Sequence, residues 1–181
     1  MVERVHSYEH VQRVFQIAIM LAEKEKADLE LVQIAALLHD LGEVIGEPHN
    51  ETGAKKAKEI LRELDYPKER CEKVERIIRY HNFANRDKLE SLEEKIVWDA
   101  DKIEGLGATG ISRAFHWRGE AGLPLYDLSW FWEQATPRYD LLNTSSAKKL
   151  ARHRYDYMMK FVSILKEELS LTDLKNALKE I

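Results

Sequence analysis

The chain has 181 residues, with 32 acidic against 28 basic side chains, a formal net charge of −4 and one cysteine. This balance gives no global attraction to nucleic acid duplexes or anionic membranes, and the lone Cys71 excludes an internal disulfide framework or a Cys-rich zinc site. The length suits one domain able to bury roughly two thirds of the surface its unfolded form exposes. The first residues lack an apolar signal core and no apolar run approaches the ~18 residues needed to span a bilayer, so a reducing cytoplasm is expected.

Val11, Val14, Ala18 and Leu21 recur at helical spacing, widened by Phe15 and Ala22, which predicts an amphipathic helix from an N-cap at Ser7 to about Glu25. His10 falls on its inward arc with Val14, Ile17 and Leu21, and Arg13 lies just off that edge. Asp28 caps a second helix that is apolar on nearly every side, with Gln33 and Asp40 on its polar strip. It carries His39 and Asp40 at its C-terminal end and is expected to stop at Gly42, followed by Glu43 and a loop through Gly46 and Pro48 to His49.

A third helix is predicted from about Asn50 to Leu64, and a fourth opens at Pro67 and ends about His81. The capping box Ser91-x-x-Glu94 starts a fifth, which carries Asp99 and Asp101 on different faces of an otherwise apolar stretch. Periodicity leaves open which of the two acids faces a site. Gly105, Gly107 and Gly110 precede a short helix at Ile111–Phe115, and a loop runs from Arg118 to Asp127. The aromatic run Trp130-Phe131-Trp132 reads as core, with a lid or an oligomer contact as the other roles open to it. Ser145 or Ser146 caps a long helix to about Leu169, with Leu150, Tyr157, Phe161, Ile164 and Leu165 expected on its buried side, and Thr172 starts a terminal one. There is no strand pattern and no repeat, so the fold class is all-α.

Four of the seven histidines, His10, His39, His49 and His81, stand on the core side of a helix, at a helix end or beside a helix start. With buried carboxylates from other helices, they form a reasonable ligand set for a divalent ion. A single inward histidine is more often a satisfied core residue; four with His39-Asp40 and a buried acid favour a metal.

The ordered set His10, His39-Asp40, Asp101 resembles the signature of the HD superfamily of metal-dependent phosphohydrolases, as do the stretches Ala35–Gly42 and Asp99–Ile103. Asp99–Phe115, Pro124–Asp127 and Ala147–Phe161 are similar to a branch of largely uncharacterised, predicted HD hydrolases. The resemblance implies a single helical HD domain over 1–181, with a metal-binding core at about 7–115 and C-terminal helices at about 128–181 packed on it. By position, His10, His39, Asp40 and Asp101 would hold one ion. His49 and His81 would hold a second that Asp40 bridges, and Asp99 would stand behind them. The ions would be manganese, iron, nickel, cobalt, magnesium or zinc.

The family's reaction implies attack by activated water on a phosphate mono- or diester of a nucleotide or small metabolite, with Asp40 and Glu43 catalytic. Lys102, Arg113, Arg13 and Lys55 are the candidate cations for substrate phosphate. A small phosphorylated molecule is the expected partner, rather than a nucleic acid duplex or a membrane, and self-association is left open. Two other readings remain: a mixed-valent di-iron oxygenase, which a few relatives with the six-ligand order are, and a non-catalytic nucleotide-binding module.

Overall fold

A computed structural model describes residues 8–124 and 126–179. Ser7, expected as an N-cap, and Leu125 lie outside the described residues. All regular structure among the described residues is helical, and no helix there is long and apolar enough to cross a membrane. The chain divides into two compact units, one comprising the residues through Glu104 together with Leu142–Leu150, the other Gly105–Leu141 and the residues from Ala151 onward.

The first unit begins with α1, Tyr8–Glu25, whose buried line is His10, Val14, Ile17, Ala18, Leu21 and Ala22. Asp28 caps α2, Leu29–Leu38, by accepting a hydrogen bond from Leu31 N at 3.1 Å. Leu31, Val32, Ala35 and Ala36 are buried, but Leu29 is 36% and Leu37 54% exposed, so α2 presents apolar side chains to solvent near both ends instead of being enclosed all round.

The helix stops earlier than Gly42. Leu38 is its last residue, His39 its C-cap, and the chain then tightens into a 3₁₀ turn, Leu41–Val44. Gly42 sits inside this turn because α3, His49–Glu63, presses on it: a Cβ at Gly42 would lie 1.7 Å from the His49 carbonyl oxygen. Gly53 faces it from α3, where a Cβ would lie 2.8 Å from Gly42 N. Two glycines thus let backbone meet backbone, which brings the start of α3 against the end of α2.

Pro67 precedes α4, Lys68–Tyr80, and His81 is its C-cap. A second 3₁₀ turn, Phe83–Lys88, leads to α5, Leu92–Glu104. The capping box closes as expected: Glu94 N donates to Ser91 Oγ at 3.1 Å, and Ser91 N donates to Glu94 Oε2 at 3.3 Å. α1 packs on α2 and α5, α2 also on α4 and α5, and α3 on α4. Ends of four of these elements therefore converge on the side of α5 that carries Asp101.

Asp99 faces elsewhere. Its carboxylate is fully buried and accepts from Asn143 N at 2.7 Å, Asn143 Nδ2 at 2.9 Å, and Thr144 N and Oγ1 at 2.9 Å each. Thr144 Oγ1 in turn accepts from Ala147 N at 3.1 Å, starting α8, Ser145–Leu169. Asp99 thereby fixes the entry to that helix.

In the second unit, α6 runs from Gly107 to Glu120, longer than the short helix expected at Ile111–Phe115. Gly107 opens it at φ +75, a left-handed backbone that glycine adopts without strain. Because the helix continues to Glu120, Arg118 is not in the loop. Its buried guanidinium donates to Pro124 O at 2.9 Å and pairs with Asp127 at 3.1 Å. A π-helical turn, Phe131–Ala135, runs into α7, Thr136–Asp140, and the chain ends in α9, Thr172–Ala177. Phe131 is buried among Phe115 and Phe161, at ring centroid separations of 5.8 and 6.4 Å, whereas Trp132 is exposed.

The buried face of α8 differs from the expected one. Ala147, Ala151, Met158 and Val162 are enclosed, while Leu150, Tyr157 and Ile164 are 43%, 49% and 44% exposed. The two stripes lie about 100° apart, one residue's rotation on a helix, and the enclosed one begins with two alanines.

Candidate metal centre

Six side chains from five places in the first unit come together. His10 is in the first turn of α1, His39 and Asp40 follow α2, His49 opens α3, His81 ends α4, and Asp101 is in α5. One ligand atom each from His10, His39 and Asp101 lie within 4.8 Å of one another, as do one each from Asp40, His49 and His81. The imidazoles form a row, with centroids 5.4 Å apart for His10–His39, 5.4 Å for His39–His81 and 5.5 Å for His49–His81.

Three rings are turned the same way by hydrogen bonds on Nδ1. His39 Nδ1 donates to Ala36 O at 2.8 Å and His81 Nδ1 to Ile78 O at 2.6 Å, each using a carbonyl three residues back at the end of its helix. His10 Nδ1 meets Glu104 Oε2 at 2.9 Å. All three Nε2 atoms therefore point at Asp40: His10 and His39 each lie 3.3 Å from Oδ2, and His81 lies 3.6 Å from Oδ1. His10 Nε2 is also 3.5 Å from Asp101 Oδ1. Asp40 divides its two oxygens between the two groups.

His39 Nε2 is fully buried and makes no hydrogen bond, facing carboxylate at ion-pair distance. A buried nitrogen left in that condition, among other imidazoles and two carboxylates, fits a divalent cation of the borderline class.

Burial lowers the His39 pKa, and the Asp40 carboxylate, with Asp101 further off, overrides it and holds the ring up to about 9. Burial alone would raise the Asp101 carboxyl, but the Lys102 ammonium, with the His39 ring, holds it well below the usual carboxylate range. His81 is kept low chiefly by burial.

The cations named from the sequence have diverse surroundings. Lys102 is buried against Asp101, donates to His81 O at 3.2 Å and lies 4.8 Å from the Phe83 ring centroid and 5.3 Å from that of Trp98. Arg13 donates from Nε to Glu104 Oε1 at 2.8 Å. Lys55 is exposed on α3, and Arg113 belongs to α6 in the second unit. Glu43, in the 3₁₀ turn, has Oε1 3.5 Å from His49 Nδ1.

Glu104 is the residue that sequence reasoning passed over. It is fully buried, and its signal is an acid one turn beyond Asp101, on the same side of an apolar helix.

The sequence profile of the HD domain matches residues 7–106, which contain all six of these side chains. The Bacillus subtilis protein YpgQ, itself uncharacterised, is 34% identical over 181 residues, covering 95% of this chain and 88% of its own. The crystal structure of YpgQ in complex with ADP superposes with a TM-score of 0.78 at 32% identity, covering 90% of this chain and 86% of that one. An HD-superfamily hydrolase from Bacillus thuringiensis gives 0.75 at 33% identity, covering 91% and 87%. A predicted HD-superfamily hydrolase from an uncultured Thermotogales bacterium gives 0.68 at 29% identity, covering 91% and 82%. On this agreement of profile, relatives and structure, the chain belongs to the HD superfamily of hydrolases.

Proposed function

We propose that the chain is a metal-dependent phosphohydrolase that cleaves a phosphate mono- or diester of a nucleotide or small metabolite. The observation that carries this reading is the division of Asp40 between two groups of imidazoles, Oδ2 toward His10 and His39 and Oδ1 toward His81. His10, His39, Asp40 and Asp101 would hold one ion, and Asp40, His49 and His81 a second. Divalent ions bound there would supply Lewis acidity toward a phosphoryl oxygen and a water of lowered pKa.

The side chains have distinct tasks in this reaction. The carboxylates of Asp40 and Asp101 repel a phosphate anion unless cations intervene, so the substrate is accepted only by the loaded site. The Nδ1 anchors on His10, His39 and His81 keep the rings from turning, which preserves the geometry for an in-line approach. Glu43, partly exposed beside His49, would accept the proton of the attacking water as its oxygen bonds to phosphorus and the ester oxygen departs. Lys102 pairs with Asp101 and Arg13 with Glu104, so each of these cations offsets a carboxylate beside the site.

The ADP bound to YpgQ supports a nucleotide as the first substrate class to test. Protein loaded with Mn²⁺, Co²⁺ or Mg²⁺ is expected to release phosphate or a nucleoside monophosphate from some member of a nucleotide and sugar-phosphate panel, and His39→Ala to abolish release. Loaded protein inert on the whole panel would overturn the proposal. The four imidazoles also suit an iron pair, and paramagnetic resonance of anaerobically purified protein would reveal a mixed-valent pair if the chemistry were oxygenation.

A further inference from the structure

Glu104 is a fully buried carboxylate, and such a group is costly unless paired and hydrogen-bonded. Its two oxygens are used differently. Oε2 meets His10 Nδ1 at 2.9 Å, and Oε1 accepts from Arg13 Nε and Nη2, each at 2.8 Å. The Arg13 side chain is 39% exposed, so this cation joins a buried acid to the protein surface.

The other two anchored rings have a different kind of support. His39 and His81 lie at helix ends, where carbonyls three residues back, on Ala36 and Ile78, take the Nδ1 proton without help from another element. His10 stands in the first turn of α1, ahead of the helix carbonyls, and takes its anchor from α5. That anchor carries a full charge. An imidazole whose Nδ1–H is held by a carboxylate has one fixed tautomer and a more basic Nε2 than a ring held by a neutral carbonyl.

We propose that Glu104 is a positioning residue that fixes neutral His10 as the Nδ1–H tautomer, directs its Nε2 lone pair at the metal group and raises its donor strength, and that Arg13 moderates this effect. The inference rests on the metal-site reading. It assigns opposite signs to two substitutions in one ion pair. Removing the Glu104 charge weakens His10 as a ligand. Removing the Arg13 charge frees the carboxylate to act more strongly on His10 and takes a cation away from the site.

The experiment is a Mn²⁺ titration of the full chain, followed by the paramagnetic signal of free Mn²⁺, for wild type, Glu104→Gln and Arg13→Ala. It is paired with long-range ¹H–¹⁵N spectra of the histidine rings in EDTA. Glu104→Gln is expected to lose about tenfold in Mn²⁺ affinity, the lower end for loss of a carboxylate behind a metal-bound histidine. Arg13→Ala is expected to bind Mn²⁺ more tightly than wild type, and His10 to show an Nδ1–H ring in both wild type and Arg13→Ala. A purely architectural role would weaken binding in both variants, and that result, or unchanged affinity in both, would overturn the proposal. If Glu104→Gln does not fold, the sign of the Arg13→Ala effect decides. If wild type takes up no Mn²⁺, the metal reading falls, and the His10 tautomer in the metal-free protein decides the role of Glu104 by itself.

Discussion

Replacing Asp40 with asparagine keeps the shape of the side chain and removes the charge on which three imidazoles converge. Without a metal ion, that charge supports the protonated His39 ring, whose pKa rises from 6.5 to about 9. A rise of that size corresponds to about 3 kcal/mol of stabilisation from the coupled pair. Because the folded-state value lies above the unfolded one, this contribution is complete below pH 6.5 and is lost as pH climbs through 9. Asp40 carries the larger share of it, ahead of Asp101. Asp40→Asn should therefore be about 2–3 kcal/mol less stable than wild type near pH 6 in EDTA, and nearly equal to it above pH 9. Mn²⁺ at a hundredfold excess over its dissociation constant should add about 2.7 kcal/mol to wild type and much less to the variant. Urea unfolding followed by circular dichroism gives these values directly. A stability gap of the same size at both pH values, or equal stabilisation of both proteins by Mn²⁺, would refute the reasoning.

The close backbone approach at Gly42 predicts that Gly42→Ala moves the start of α3 or unfolds the turn, lowering stability by about 3 kcal/mol or more and weakening metal uptake, as thermal melts with and without Mn²⁺ would show. Ser91→Ala opens the capping box and should cost about 1 kcal/mol with no change in metal affinity, measured by urea unfolding and titration. Asp99→Ala leaves the buried Thr144 amide without its carboxylate acceptor and should cost about 2–4 kcal/mol, with faster hydrogen exchange at the start of α8.

Residue order carries a good deal of this structure. The apolar period of α1 placed His10 inward, Asp28 and Ser91 announced helix starts by their hydrogen-bonding chemistry, and Pro67 marked the entry to α4. Each of these signals is local, and the structure uses each as local chemistry dictates. What sequence alone could not place depended on partners outside the element's own helical spacing. Asp99 and Asp101 look alike in an apolar helix, and only the arrival of Asn143 and Thr144 separates the anchor of α8 from the acid beside the histidines. Gly42 reads as a helix stop, but its role is set by the His49 backbone pressing on it from α3. The face of α8 departs from the expected one because apolar bulk at Leu150, Tyr157 and Ile164 does not by itself mark burial, and the enclosed stripe begins with the small Ala147 and Ala151. Glu104 escaped notice for a related reason: this buried acid is met by His10 and Arg13, both more than ninety residues away.

The central claim is that these six side chains hold divalent ions, and anomalous scattering from crystals grown with Mn²⁺ tests it most directly. The account predicts one peak bounded by His10, His39, Asp40 and Asp101, and a second bounded by Asp40, His49 and His81, with Asp40 touching both. An ordered site without anomalous density between His39 and Asp101 would contradict it.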